Sequence, residues 1–153
     1  GLIRHLINDE NLGLIGPVTN AIANEAKIDI GYSTMEEMAS KARNYTNSHT
    51  RQLLPVKMVA FFCVGMRRQL LEKVGMMDEQ FGLGYFEDDD YCNRVQGLYY
   101  KIAIAKDVFV HHEYSASFNL MDSDSKKLLF AHNRSLFEAK WGSWSPPVRP
   151  SPL

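Results

Sequence analysis

The sequence is short of cysteine, of surplus charge and of long apolar runs, and each shortage removes a class of protein. It has two cysteines in 153 residues, Cys63 inside the run Val59-Ala60-Phe61-Phe62-Cys63-Val64 and Cys92 just after an acidic cluster. That spacing builds neither a zinc site nor a disulfide framework. Both are expected as buried free thiols, which fits a reducing, cytoplasmic compartment. With 17 Lys and Arg against 18 Asp and Glu, the chain lacks the basic surplus that nucleic acids and anionic membranes select. No stretch approaches the ~18–20 apolar residues of a membrane span, and no basic-then-apolar leader opens the sequence. A soluble protein without a transmembrane segment is expected. There is no internal repeat. With 45% apolar residues, a chain of this length has enough to bury roughly 68–70% of its unfolded surface and needs no metal or disulfide for a core.

Alternating elements are predicted. Leu2, Ile3, Leu6 and Ile7 share a helical face without a capping residue ahead of them, which reads as the end of a helix begun earlier. Leu12 to Gly16 is a short buried strand closed by Gly16-Pro17, followed by an ordered loop over 17–33. Thr34 with Glu37 forms a capping box for a peripheral helix. Val56 to Val64 has the length and composition of a central strand, and Arg67 to Val74 is a helix stopped by Gly75. Lys101–Ala105 and Asp107–Val110 read as two short extended runs. Leu128, Leu129, His132, Leu136 and Phe137 have helical spacing. Pro146, Pro147, Pro150 and Pro152 make 145–153 an extended tail or linker.

The chemistry concentrates between Gly82 and Arg94. The loop Gly82-Leu83-Gly84-Tyr85-Phe86 leads into Glu87-Asp88-Asp89-Asp90-Tyr91-Cys92-Asn93-Arg94, and a helix from Glu87 to Gln96 sets four carboxylates on its first turn. Acidic first turns are ordinarily solvated helix ends favoured by the dipole. About two carboxylates would serve that purpose, however, and four in a row repel one another. A glycine-rich aromatic approach suits a cleft mouth, where a ring stacks on Tyr85 or Phe86 while a carboxylate meets a hydroxyl. Asp90 and Arg94 fall one turn apart and can pair. His111-His112 ends a strand; without a third placed ligand, a solvated ring beside a core ring is a better account of the pair than a metal is.

These residues carry a resemblance. Phe61 to Phe118 resembles the C-terminal half of a GT-A fold glycosyltransferase of family 2: a strand and helix of the type Phe-Cys-Val-Gly-Met-Arg-Arg-Gln-Leu-Leu-Glu-Lys-Val-Gly, an Asp-Glu-x-Phe loop, the acidic signature Phe86 to Arg94, and the strand Asp107 to His112. It extends upstream to Gly16-Pro17-Val18-Thr19-Asn20 and downstream to Asn133 through Gly142. The resemblance implies an α/β fold, the C-terminal portion of a Rossmann-like GT-A domain with a mixed sheet flanked by helices. Residues 1–144 would be the acceptor-side half, with the nucleotide-binding half missing.

The roles it implies are specific. Asp88 is the general base that takes the proton of an acceptor hydroxyl as it attacks the anomeric carbon of a nucleotide sugar, with inversion. At an ordinary pKa of ~3.9 it would be ionised at neutral pH. Glu87, Asp89, Tyr85 and Phe86 bind the acceptor. Asp90 and Arg94 hold the helix start. His111 holds Mg²⁺ or Mn²⁺ on the donor diphosphate, with His112 the second choice. The partners are a nucleotide-sugar donor and a glycan or glycolipid acceptor, in polysaccharide assembly, with membrane association only through the parent protein. The family's Asp-x-Asp motif has no counterpart before Leu12. Asp88-Asp89-Asp90 and Asp122-Ser123-Asp124 have its spelling but not its place after a nucleotide-half strand. The fragment alone is therefore expected to be inactive, and a truncated sheet edge is expected to invite self-association. The other reading is a non-catalytic module of the same fold that binds a glycan or a protein through Gly82 to Phe86.

Overall fold

The computed structural model describes residues 1–113 and 122–146. The tail beyond Pro146 and the stretch containing Phe118 lie outside the described residues. The order is α1 (Leu2–Asn8), β1 (Leu12–Val18), α2 (Met35–Ser48), β2 (Leu53–Pro55), β3 (Gly65–Met66), α3 (Arg68–Val74), a 3-10 turn (Glu79–Phe81), α4 (Glu87–Gly97), β4 (Lys101–Phe109) and α5 (Ser123–Trp141). It is an α/β fold with a four-stranded mixed sheet ordered β2-β4-β1-β3. Parallel β1 and β4 form its centre; β2 and β3 add antiparallel edges.

The apolar pattern explains the layers. β1 is buried along its whole length, as a strand covered on both faces must be. One face of the sheet, with Leu12, Ile15, Ala103 and Ala105, packs on Leu6 of α1. The other, with Leu14, Val18, Ile102 and Ile104, packs on Leu70 of α3 and on Tyr91 and Val95 of α4. A Cβ at Gly13 would stand 2.8 Å from Tyr100 Cβ and 3.0 Å from Val95 Cγ1, so glycine there lets the end of α4 close on the sheet. A third cluster joins Phe81, Phe86 and Phe137 and seats α5.

Several local expectations need correction. Val56 to Val64 is not a strand. β2 and β3 occupy opposite edges of the sheet, so the residues joining them must cross it rather than join it. A four-stranded sheet is roughly 14 Å from first to last strand, well within the reach of nine residues. Pro55, which has no N–H to donate, ends β2. After one backbone bond, from Val56 N to Ile102 O of β4 at 3.0 Å, the crossing segment is held by side chains: Gln96 Nε2 donates to Lys57 O at 2.9 Å, and Val59, 2% exposed, fills the core. The two runs from Lys101 are one strand, β4, in which Pro17 pairs with Ala105 and Val18 with Phe109. The residues between bulge, and Asp107 within the bulge accepts from Arg51 N at 3.0 Å and contacts His5 Nε2 at 2.7 Å. In α1 only the Leu2/Leu6 stripe faces the sheet; Ile3 and Ile7 are exposed. In α5 the inward stripe is Phe130, Asn133 and Phe137, whereas Leu128 and His132 face outward. Thr34 caps α2 through Glu37 N as predicted, and the Glu37 carboxylate reaches back to Ser33 N. No helix among the described residues is long and apolar enough to cross a membrane.

Candidate functional site

The acidic turn opens onto a cleft of about 450 Å³ lined by Ala23, Met58, Phe130, Trp144 and Pro146 together with the run Tyr85 to Asp89. The approach to it is strained. Tyr85 and Phe86 both take left-handed backbone angles, φ 67° and 72°, directly after Gly84. Bulky residues adopt that region at a cost and only where their surroundings hold them there. What holds them is plain. Phe86, 3% exposed, packs on Phe130, Phe137 and Trp144 at ring separations of 5.2 to 5.4 Å. Asn133 Nδ2 donates to the carbonyls of Phe81 and Gly84, each at 2.6 Å, and of Tyr85 at 3.1 Å. Phe86 is thus committed to this cluster, while Tyr85 is half-buried in the cleft wall and edge-on to Phe130 at 5.4 Å.

Two neighbouring carboxylates of this turn differ sharply. Asp90 is fully buried and meets Arg94 Nε at 2.9 Å, Trp141 Nε1 at 2.8 Å and Lys140 Nζ at 2.7 Å. The i,i+4 pair read from spacing is made, and Arg94 also donates to the carbonyls of Val74 and Met76 at the end of α3. Asp88 has no cation beside it among the described residues. Its Oδ1 accepts from Asp89 N at 2.9 Å, and it lies in the cleft wall between Glu87 and Asp89. Burial, then the charges of Asp89 and Glu87, raise the Asp88 carboxyl to about 7. Burial, then Glu87, raise Asp89 to about 6. The expectation of an ordinary Asp88 is thus corrected: its environment lacks the partners that would hold the charge. One oxygen of Glu87, Oε2, is also buried without a hydrogen-bond partner. Cys92, on the next turn, is buried and raised to about 12, an inert thiol.

The histidines sit at the C-terminal ends of the central parallel strands, where ligands of open α/β sheets gather. Asn20 ties the two strand ends together: its Oδ1 accepts from His112 N at 2.8 Å and its Nδ2 donates to His112 O at 3.3 Å. His112 Nδ1 donates to Ala21 O at 2.7 Å, and its ring stacks on Phe62 at 4.5 Å. His111 Nδ1 lies 2.5 Å from the Tyr32 hydroxyl, and its Nε2 lies 3.6 Å from the Glu113 carboxylate. Neither histidine lines the acidic cleft, although Ala23, two residues beyond the carbonyl that holds His112, does. No three His, Cys, Asp or Glu side chains converge as a metal site among the described residues. Asp122 spends its carboxylate capping α5 through Asp124 N and Ser125 N.

Three functional neighbours escaped the sequence reading: Asn133, Trp144 and Trp141. Only Asn133 left a usable signal, a polar residue between Phe130 and Phe137 on a buried helical stripe. The chain matches no protein-family model and no curated protein.

Proposed function

We propose that this chain is the acceptor-side part of an inverting glycosyltransferase with a GT-A fold, and that Asp88 is its general base. The observation that carries the reading is a carboxylate raised to about 7, with no cation beside it among the described residues, in the wall of an aromatic cleft, at the start of a helix entered through strained backbone. A base is most effective when its pKa lies near the working pH, and burial between two other carboxylates puts Asp88 there. In the proposed step an acceptor oxygen attacks the anomeric carbon of a nucleotide sugar while the bond to the diphosphate oxygen breaks. The nucleoside diphosphate leaves, the acceptor proton passes to Asp88, and Asp88 then releases it to solvent. Tyr85, Phe130 and Trp144 line the cleft in which the acceptor sugar would sit. Glu87 and Asp89 accept from acceptor hydroxyls and keep the Asp88 proton affinity high.

The donor is held by residues outside this chain, including an Asp-x-Asp strand end. A divalent Mg²⁺ or Mn²⁺ would neutralise charge on the leaving diphosphate. His111 fits a place in its shell: donation from Nδ1–H to the Tyr32 oxygen would leave Nε2 its lone pair beside Glu113. One imidazole and one exposed carboxylate are a partial set, consistent with ligands shared with the donor half.

The test is nucleoside diphosphate release by the full-length protein across a panel of nucleotide sugars, with and without Asp88→Asn. A loss of roughly 10²–10⁴-fold is expected. Near-normal turnover removes Asp88 from the role. The aromatic lining favours a second reading, a glycan-binding module without catalysis. That reading gains if Asp88→Asn leaves glycan binding intact and no nucleotide sugar is consumed by the wild type.

A further inference from the structure

We propose that Asn133 is a positioning residue for Asp88. Its buried carboxamide gathers the carbonyls of Phe81, Gly84 and Tyr85, and so holds the two left-handed residues that aim the acidic first turn of α4 into the cleft. The inference rests on the reading of Asp88 as the base and adds what fixes that base in place.

The chain leading to Asp88 has no regular structure of its own to hold it. After the 3-10 turn, Gly82 and Gly84 take φ 62° and 138°, and Tyr85 and Phe86 follow in the left-handed region. Three carbonyls of this reversal point inward, away from water. An inward carbonyl needs a donor, and helix α5 supplies one from Asn133, which is 0% exposed. The amide has two protons for three acceptors, so Phe81 and Gly84 at 2.6 Å take one each and Tyr85 at 3.1 Å shares. Its own oxygen, Oδ1, is buried with no partner. Neither Asp nor Leu satisfies this position: a carboxylate would face carbonyl oxygens, and a leucine would leave them without a donor. The Phe86 ring is fixed by Phe137 one turn further along α5, so a single helix holds both the backbone and the side chain of the residue before Glu87. Helix α4 starts where it does because Phe86, which has no capping side chain, is locked there.

Among the described residues, the titratable groups that face Asp88 are Glu87 and Asp89 on its own turn and Cys92 one turn on. None belongs to α5, so Asn133 acts on Asp88 only through the backbone it holds. This makes a readout available that mere stability would not move. In the full 153-residue chain with ¹³C-labelled aspartate, the Asp88 carboxyl is titrated by NMR and assigned by its loss in Asp88→Asn. In Asn133→Ala, with the Trp141 indole N–H signal to Asp90 retained as proof of fold, the Asp88 midpoint is expected to fall by about one pH unit or more, a tenfold or greater change in proton affinity. An unchanged midpoint in the folded variant overturns the proposal. If Asn133→Ala does not fold, Tyr85→Gly is added, since glycine takes the left-handed angle without the side-chain penalty. Recovery of the fold and of a raised midpoint supports the proposal; failure to recover either overturns it. Turnover of Asp88→Asn in the full-length protein is a separate result. If it is near normal, the base assignment fails while the titration still decides whether Asn133 positions this turn.

Discussion

The two sides of the first turn of α4 use the same side chain in opposite ways. Asp90 points inward and is surrounded by an arginine, a lysine and an indole, which tie α4 to the ends of α3 and α5. Asp88, two residues earlier, lines the cleft with two carboxylates for neighbours and one backbone donor. Burial is the lesser difference between them. A buried carboxylate with three donors is a structural tie, whereas one with like-charged neighbours keeps its proton until near neutral pH and is available for proton transfer.

Removing the inward carboxylate is the harshest way to break this contrast. Asp90→Ala leaves Arg94 and Lys140 without their shared partner and should cost about 3–5 kcal/mol, read by urea or thermal unfolding. A loss under 1 kcal/mol would mean that the inward network is ornamental. The outward carboxylate should behave in reverse. The Asp88 pKa is raised in the folded state above its ordinary value, so its contribution to stability is fully present below the unfolded pKa and is lost as pH rises through about 7. Asp88→Asn is therefore expected to stabilise the chain by about 1–2 kcal/mol at pH 8 and by nothing measurable near pH 3.5. A destabilised variant at pH 8 would place Asp88 among the structural residues.

Two smaller effects sharpen the comparison. Under the proposed mechanism, kcat/KM of the full-length protein rises with pH to a plateau above about 7, as Asp88 loses its proton. Asp89→Asn should shift that limb toward acid because one repelling charge is gone. Glu87→Gln should do the same by about half a unit or less, followed in the Asp88 carboxyl titration. A shift toward alkali from either variant would contradict the repulsion that sets the contrast.

What could be read from the sequence here was what is local. The carboxylates of Glu87 to Asp90, the Thr34 cap and the Asp90–Arg94 pair depend on spacings of four residues or fewer, and each forms. The apolar run from Val56 resembled a strand because composition reports burial, not hydrogen-bond partners. Only the strand order, with β2 and β3 on opposite edges, shows that it must cross the sheet. Asn133 was hidden for a related reason: its partners lie about fifty residues away, and an asparagine in a helix ordinarily says little. Phe86 was read as a stacking surface from its place in a glycine-rich loop, but the rings that enclose it come from α5 and from Trp144.

The central pairing of β1 with β4 joins Leu12 to Lys101, 89 positions apart in sequence. That has a consequence for how the molecule comes into being. At about 5–20 residues per second of synthesis, β1, an apolar strand with no hairpin partner of its own, leaves the ribosome several seconds before β4 exists. Contacts of such long sequence separation make for slow folding, because the intervening loop must be closed before the pair contributes anything. The nascent chain therefore carries a hydrophobic strand without its main partner until β4 is made, with only the two-residue β3 to pair with before then, and its yield should depend on chaperone supply more than its finished stability would imply.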